Sequence, residues 1–408
     1  MPYRNWVFAL PLIVGLTAAA PVAAQRGETP LPVWPPAPDA ERIRWVGALS
    51  SERQLGRKES FFARLKRSIA GTRVSGMYAI SRPYDVFALD SNRIYISDGL
   101  TPAIILFDRA SRQVHFLGED VPGGLAKPMG LGGDAGGQLY VADQVGRRVL
   151  VLDERGRFVR TFGGRDLLLN PVDVAADVEA GRYYVVDSYL HQVVVFDSAG
   201  EVVGRIGRTA ADLSQQPPEP FFGTHQEITP GGGSEIAPDA SPPGHPGGSH
   251  PHRAQTRDLL DNRGNGNAEF RYPVAATVSA DGTLWVVDQL NFRIQAFDRQ
   301  GNFLRSFGQL GSTPGSFARP KGISVDSEGH VYVSDAAFNN LQVFDTEGRL
   351  LLTVCSGGPK AGELQLPMGL AVDRNDRIYV ADRYNNRIAT LQYLAESGQA
   401  PPPADTKP

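Results

Sequence analysis

Gly322-Ile323-Ser324-Val325, His330-Val331-Tyr332-Val333-Ser334, Leu341-Gln342-Val343-Phe344 and Leu350-Leu351-Leu352-Thr353-Val354 follow one another within residues 320–354, parted by Ser327-Glu328-Gly329 and Thr346-Glu347-Gly348. Short runs rich in apolar and β-branched residues, broken by Gly-containing turns, predict four antiparallel strands. The unit opens on Pro320, and its second run ends at Asp335. That pair recurs: Pro stands at 83, 128, 171, 273, 320 and 367, and Asp at 98, 143, 187, 288, 335 and 382, at Asp intervals of 45, 44, 101, 47 and 47. One four-stranded unit cannot bury both of its faces, whereas copies packed face to face about an axis can. The expected fold is an all-β six-bladed propeller over residues 83–393.

The last unit lacks a fourth strand, because after Arg387 to Tyr393 the chain turns polar and Pro-rich. Residues 42–50 are expected to supply it. Arg42-Ile43-Arg44-Trp45-Val46-Gly47-Ala48-Leu49 aligns with Phe303-Leu304-Arg305-Ser306-Phe307-Gly308-Gln309-Leu310 at Arg, Gly and Leu. Pairing the two chain ends removes strand edges that invite aggregation. Within the segment 51–82, Phe61, Phe62, Leu65 and Ile69 form one helical stripe opposite Arg57, Arg64, Lys66 and Arg67, which predicts an amphipathic helix over residues 58–70 capping the disc. The doubled interval comes from residues 209–267, a stretch rich in Pro, Gly, Ser, Asp and His that is expected to be disordered, as is the tail 394–408.

Arg4, the apolar residues 6–16 and the small residues 18–24 read as a signal peptide over 1–24 followed by a Pro-rich linker over 25–41. Export to the periplasm or the extracellular space is expected, with no membrane-spanning segment after cleavage, since the apolar run is shorter than a bilayer requires. Cys355 is the only cysteine, so no intramolecular disulfide forms, and a lone Cys in a strand pattern reads as a small core residue. A formal net charge of −3 over 408 residues gives no broad basic field, which argues against nucleic acid as the partner.

Asp288-Gln289-Leu290-Asn291-Phe292-Arg293-Ile294-Gln295-Ala296-Phe297-Asp298 and Asp382-Arg383-Tyr384-Asn385-Asn386-Arg387-Ile388 resemble NHL repeats. The resemblance covers most of residues 83–393. The first three units depart from it: Asp98-Gly99-Leu100-Thr101-Pro102 and Asp187-Ser188-Tyr189-Leu190-His191 lack the Asn and Arg. Gly56-Arg57-Lys58-Glu59-Ser60-Phe61-Phe62 further resembles exported bacterial propellers, some associated with multihaem cytochrome systems. NHL-like amidating lyases hold zinc with histidines near the channel, and gluconolactonase-like propellers gather several carboxylate ligands there. In this chain the strands expected to line the channel are apolar, with Asp85 and Asp173 as their only carboxylates, read here as acceptors for turn amides.

No catalytic residue and no cofactor is expected. The six repeated Asp residues are read as acceptors for the loops that follow them. His245, His250 and His252 could hold a transition metal loosely, although a linker that happens to contain histidines explains them as well. The expected working surface is the disc face that carries the loops after the second strands and the connections between blades. Its candidate contacts are Tyr189, His191, Phe292, Arg293, Phe338, Asn339, Tyr384, Asn386 and Arg387. Aromatic and Arg side chains on a rigid scaffold point to a protein partner first, then a peptide or glycan. The rival expectation is a metal-dependent lyase or lactonase working in the channel.

Overall fold

The computed structural model describes residues 30–55, 78–207 and 263–395. All elements below belong to the unit Leu31–Pro408. Six antiparallel sheets follow the chain, and their first strands are Pro83–Ala88, Pro128–Gly133, Pro171–Asp177, Pro273–Val278, Pro320–Val325 and Pro367–Val372. These innermost strands touch in the order one to six and back to one, which closes the ring. Period-2 alternation cannot bury both faces of an isolated sheet, and the ring resolves this by giving each sheet two neighbours. Six apolar clusters result, one between each pair of adjacent blades. The residue three before each repeated Asp supplies a large ring to them: Tyr95, Tyr140, Tyr184, Trp285, Tyr332 and Tyr379 are all buried.

The expected closure is present, in a different register. Ile43–Leu49 pairs with Arg387–Tyr393 as the outer strand of blade six, with Leu49 opposite Ile388 and Trp45 opposite Leu391. In blade four Phe307 stands opposite Ile294, the residue equivalent to Ile388. Leu49 therefore matches Phe307 and not Leu310, three residues from the alignment drawn on Arg, Gly and Leu. Burial of Ile43, Trp45 and Leu49 decides the register, and the residue identities shared with blade four do not. A bulge at Val46 keeps this alternation in step, as do bulges at Val159, Val203, Leu304 and Leu351 in the outer strands of blades two to five. Blade one alone has no such bulge.

Three expected boundaries change. Val33–Trp34, within the expected linker, pairs with Ile43–Arg44 as a fifth strand of blade six. Residues 263–267, assigned to the disordered insertion, form a loop whose carbonyls are used by blade four. Leu394, assigned to the tail, donates its N–H to Arg42. The signal peptide, the amphipathic stretch 58–70 and residues 208–262 with His245, His250 and His252 lie outside the described residues. Among the described residues no helix is long and apolar enough to cross a membrane.

Candidate functional site at the channel mouth

Each repeated Asp ends a second strand and is buried, with Asp143, Asp187, Asp288, Asp335 and Asp382 fully so. Its carboxylate works in two directions. One oxygen takes N–H groups from the loop that follows, as Asp187 does from Tyr189 and Leu190 and Asp335 does from Ala337 and Phe338. The carboxylate also takes N–H groups from the connection entering the same blade, sixteen to eighteen residues earlier: Ser81 and Arg82, Ala126 and Lys127, Leu169 and Asn170, Arg271, Ala318 and Arg319, and Gln365. The expected loop-capping role is thus half of the interaction. The other half staples the loop to the incoming chain, which satisfies amides that an inner edge strand leaves unpaired.

Counting onward from this Asp separates the nine candidate contacts. Four of them, His191, Phe292, Asn339 and Asn386, are the fourth residue after Asp. All are left-handed, with φ between 52° and 56°, as is Arg147 in blade two. From there side chains reach the next blade: His191 Nδ1 accepts the Tyr272 N–H at 2.9 Å, and Asn339 Oδ1 accepts the Leu366 N–H at 2.8 Å. Asn386 faces Ser81 of blade one, and Phe292 packs against the cluster between blades four and five. Burial pushes the His191 imidazole down to about 4, so it is neutral near pH 7.

Arg293 and Arg387 are the fifth residue, as is Arg148 of blade two. Arg387 Nε donates to Asp382 Oδ2 at 2.7 Å, and its other nitrogens donate to the carbonyls of Pro359, Lys360 and Glu363. Arg293 repeats the arrangement on Asp288 and the carbonyls of Asn265, Gly266 and Glu269. These guanidiniums clamp the connection that enters their own blade. Phe338, the third residue, is half-buried.

Tyr189 and Tyr384 remain, both the second residue after Asp. At this position Leu100, Val145, Tyr189, Leu290 and Tyr384 are 60%, 57%, 53%, 44% and 61% exposed, and Ala337 completes the set as an exposed residue. With the backbone pinned by the Asp, the side chain points outward. The result is an apolar crown on the disc face expected to carry the site, since the repeated Asp ties these loops to the blade connections.

The crown surrounds a channel that holds a cavity of about 200 Å³. Its lining is less uniformly apolar than the sequence suggested. Asp85 Oδ1 accepts the Val86 N–H and its Oδ2 accepts the Leu131 N–H of blade two, at 2.9 and 2.8 Å. Asp173 bonds likewise to Val174 and, in blade four, Ala276. Their donors are therefore inner-strand amides, and the carboxylates tie neighbouring blades together where turn capping was expected. Gly130 and Gly369 leave room for them, since a Cβ at either position would collide with a carboxylate. Burial raises both carboxyls, Asp173 to about 7, and the charge of Asp173 raises Asp85 further. Lys321, the second residue of blade five's first strand, lines the same cavity and stands one residue ahead of the run Gly322 to Val325 from which that strand was read. Among the described residues no group of three or more His, Cys, Asp or Glu is placed to hold a metal ion. Cys355 is buried between blades five and six, and burial pushes its thiol up.

The NHL repeat pattern matches residues 317–344 and 364–391, in blades five and six. No curated protein matches the chain in sequence. Among solved structures, a streptogramin B lyase is 13% identical with a TM-score of 0.48, over 77% of this chain and 94% of that one. A protein of unknown function from Bacteroides thetaiotaomicron VPI-5482 is 16% identical with a TM-score of 0.50, over 77% and 70%. A catalytically inactive virginiamycin B lyase from Staphylococcus aureus, solved with quinupristin, is 11% identical with a TM-score of 0.47, over 79% and 86%. At such identities the likeness concerns the fold. The chain is a six-bladed β-propeller that carries NHL repeats.

Proposed function

We propose that this propeller is an exported binding module that presents its crowned face to a protein partner, with an envelope redox assembly as the first place to look for that partner. The observation that carries the reading is the exposed second residue after each repeated Asp. Neighbouring side chains are used up in holding loops and blades together, while Leu100, Val145, Leu290 and Tyr384 stand exposed and Tyr189, 53% exposed, touches the next blade through its ring on Tyr272. Exposed apolar and aromatic side chains gathered on one face are what a partner buries.

A pull-down from envelope extract with the wild-type chain and the Tyr189→Ala/Tyr384→Ala double variant tests this. Partners should be captured by the first and lost from the second, and equal capture by both overturns the choice of face. Phe292 is a poorer probe, because its half-buried ring packs on the core. N-terminal sequencing of the exported protein should begin at Gln25.

A second reading draws on Asp173. A carboxyl held near neutrality in a cavity suits general acid–base work, and a lyase or lactonase would place its metal there. Stoichiometric zinc or calcium that survives deletion of residues 209–262 would favour it over the binding module.

A further inference from the structure

At the rim of the channel a groove of about 530 Å³ runs between blades four, five and six, within the size range of ligand sites. Its walls divide by chemistry. Leu290, Phe292, Leu366 and Met368 form an apolar side, and Arg319, Lys321 and Arg383 bring three positive charges to the same space. Lys321 and Met368 also line the channel cavity, so the groove leads into the channel.

The charges converge without compensation. Among the described residues, no ion pair or side-chain hydrogen bond joins Arg319, Lys321 or Arg383 to another residue. The nearest repeated carboxylates are already engaged, Asp335 by the Ala318 and Arg319 amides and Asp382 by Gln365, Asn385 and Arg387. Burial and then the two guanidiniums hold the Lys321 ammonium down to about 8, as expected for a cation among cations. Three like charges pressed together cost free energy unless an anion joins them. The cluster stands out in a protein whose formal net charge is −3.

We infer that this groove takes an acidic peptide segment of a partner protein, its carboxylates on Arg319, Lys321 and Arg383 and an adjoining apolar side chain on Leu290 and Phe292. The inference rests on the reading of the crowned face as a binding surface and names the chemistry that face selects. Guanidinium forks pair with planar carboxylates, and a single apolar residue beside them would seat against the opposite wall. Single-stranded nucleic acid would need a basic track with stacking rings spaced along it. Here the cations meet at one point, and the exposed rings Tyr189 and Tyr384 stand on loops of blades three and six.

A labelled peptide of sequence Glu-Glu-Leu-Glu-Glu-Phe, titrated with the full chain by fluorescence anisotropy, tests the inference. Binding should weaken as salt rises and fall about tenfold in Arg319→Gln and again in Arg383→Gln, the loss expected for a charge-assisted hydrogen bond. Lys321→Met should act in the same direction. The counterpart with Gln in place of every Glu should bind far more weakly. Three results would each overturn the inference: equal binding of the Gln peptide, unchanged binding by the triple variant, or binding of a short oligothymidine in preference to the acidic peptide. Peptide binding that is indifferent to the three cations yet lost in Tyr189→Ala/Tyr384→Ala sinks the acidic ligand and leaves the binding face standing. Matching thermal melts of wild type and variants exclude misfolding as the cause.

Discussion

Blades six and one meet at the closure of the ring, and they solve the same problem with different means. In blade six the loop after the second strand runs Asp382-Arg383-Tyr384-Asn385-Asn386 before Arg387, and the Asp382 carboxylate receives Asn385 and Arg387 besides the Gln365 amide. In blade one the loop shrinks to Gly99 and Leu100 before the third strand starts at Thr101. Asp98 has no Arg and instead takes the Tyr78 hydroxyl, the Ser81 and Arg82 amides and Leu100. The carboxylate is common to every blade, so the architecture demands it. The Arg is optional, and its distribution follows the connections it holds. Arg148, Arg293 and Arg387 each clamp a long entering connection, residues 118–127, the segment ending at 272, and residues 355–366. The entry to blade three, residues 164–170, is short and has none. Where blade five has a long entry without Arg, Gln342 takes over by bonding Gly315 and Ser316. A long loop exposes more backbone carbonyls and amides that need partners, and a fork of donors supplies several at once.

The largest effect should come from removing the shared carboxylate where it also neutralises a clamp. Asp382→Ala strands a guanidinium that is only 12% exposed, and breaking a buried pair in this way costs about 3–5 kcal/mol. Asp98→Ala removes neutral donors only and should cost about 1–3 kcal/mol. Urea denaturation followed by tryptophan fluorescence measures both, and equal losses would mean that the clamp adds nothing to the staple. Next comes Arg387→Lys, which keeps the charge and loses the fork. An ammonium cannot reach Asp382 and three carbonyls together, so about 2 kcal/mol should still be lost. Full rescue by Lys would show that charge alone matters.

A third contrast uses the left-handed position. Blades five and six carry Asn339 and Asn386 there, and blade three carries His191, whose Nδ1 takes the role of the Asn oxygen. The folded imidazole titrates near 4 against an ordinary value of 6.5. The unfolded chain therefore binds the proton first, and the stability associated with neutral His191 is full above pH 6.5 and lost as pH falls toward 4. His191→Asn should fold and flatten that acid loss, as followed by melting temperature against pH. Asp173 has the opposite sign: its carboxyl is raised from 3.8 to about 7, so its burial weakens the fold as pH rises between those values. Melts of Asp173→Asn should show a shallower decline over that window, and an unaltered slope would place the titration elsewhere.

The same repeat that made the fold legible obscured the site. Six Pro–Asp registers sufficed for blade number, strand order and closure, because each blade must pack on two others and the hydrophobic period is fixed by that packing. Arg293, Arg387, His191 and Asn339 looked like surface contacts because sequence does not tell whether a polar loop side chain turns outward or back. Their common offset from the repeated Asp was the available signal, since Arg148, Arg293 and Arg387 all fall five residues on. Lys321 left no such trace. Its position carries Tyr84, Met129, Val172, Val274 and Met368 in the other blades, so only the assembled ring reveals a cation there beside Arg319 and Arg383. The closing strand was placed three residues off for a related reason: Arg, Gly and Leu identities outvoted the alternation that buries Ile43, Trp45 and Leu49.

The smallest expected effect on stability is the one that best separates scaffold from surface. Tyr384 stands two residues after Asp382, with 61% of its surface exposed, between an Arg383 that faces the groove and an Asn385 that serves the staple. Its backbone N–H bonds to the Gln365 carbonyl, an interaction that Ala preserves. Tyr384→Ala should therefore change unfolding free energy by no more than about 0.5 kcal/mol, the range for exposed positions outside caps and networks. A ring left in water by a protein that buries the rings of Tyr95, Tyr140, Tyr184, Tyr332 and Tyr379 contributes little to folding, so its worth must be sought in what it touches from outside. If Tyr384→Ala destabilises the chain as much as Arg387→Lys, the ring belongs to the scaffold and the crown loses one of its two aromatic members.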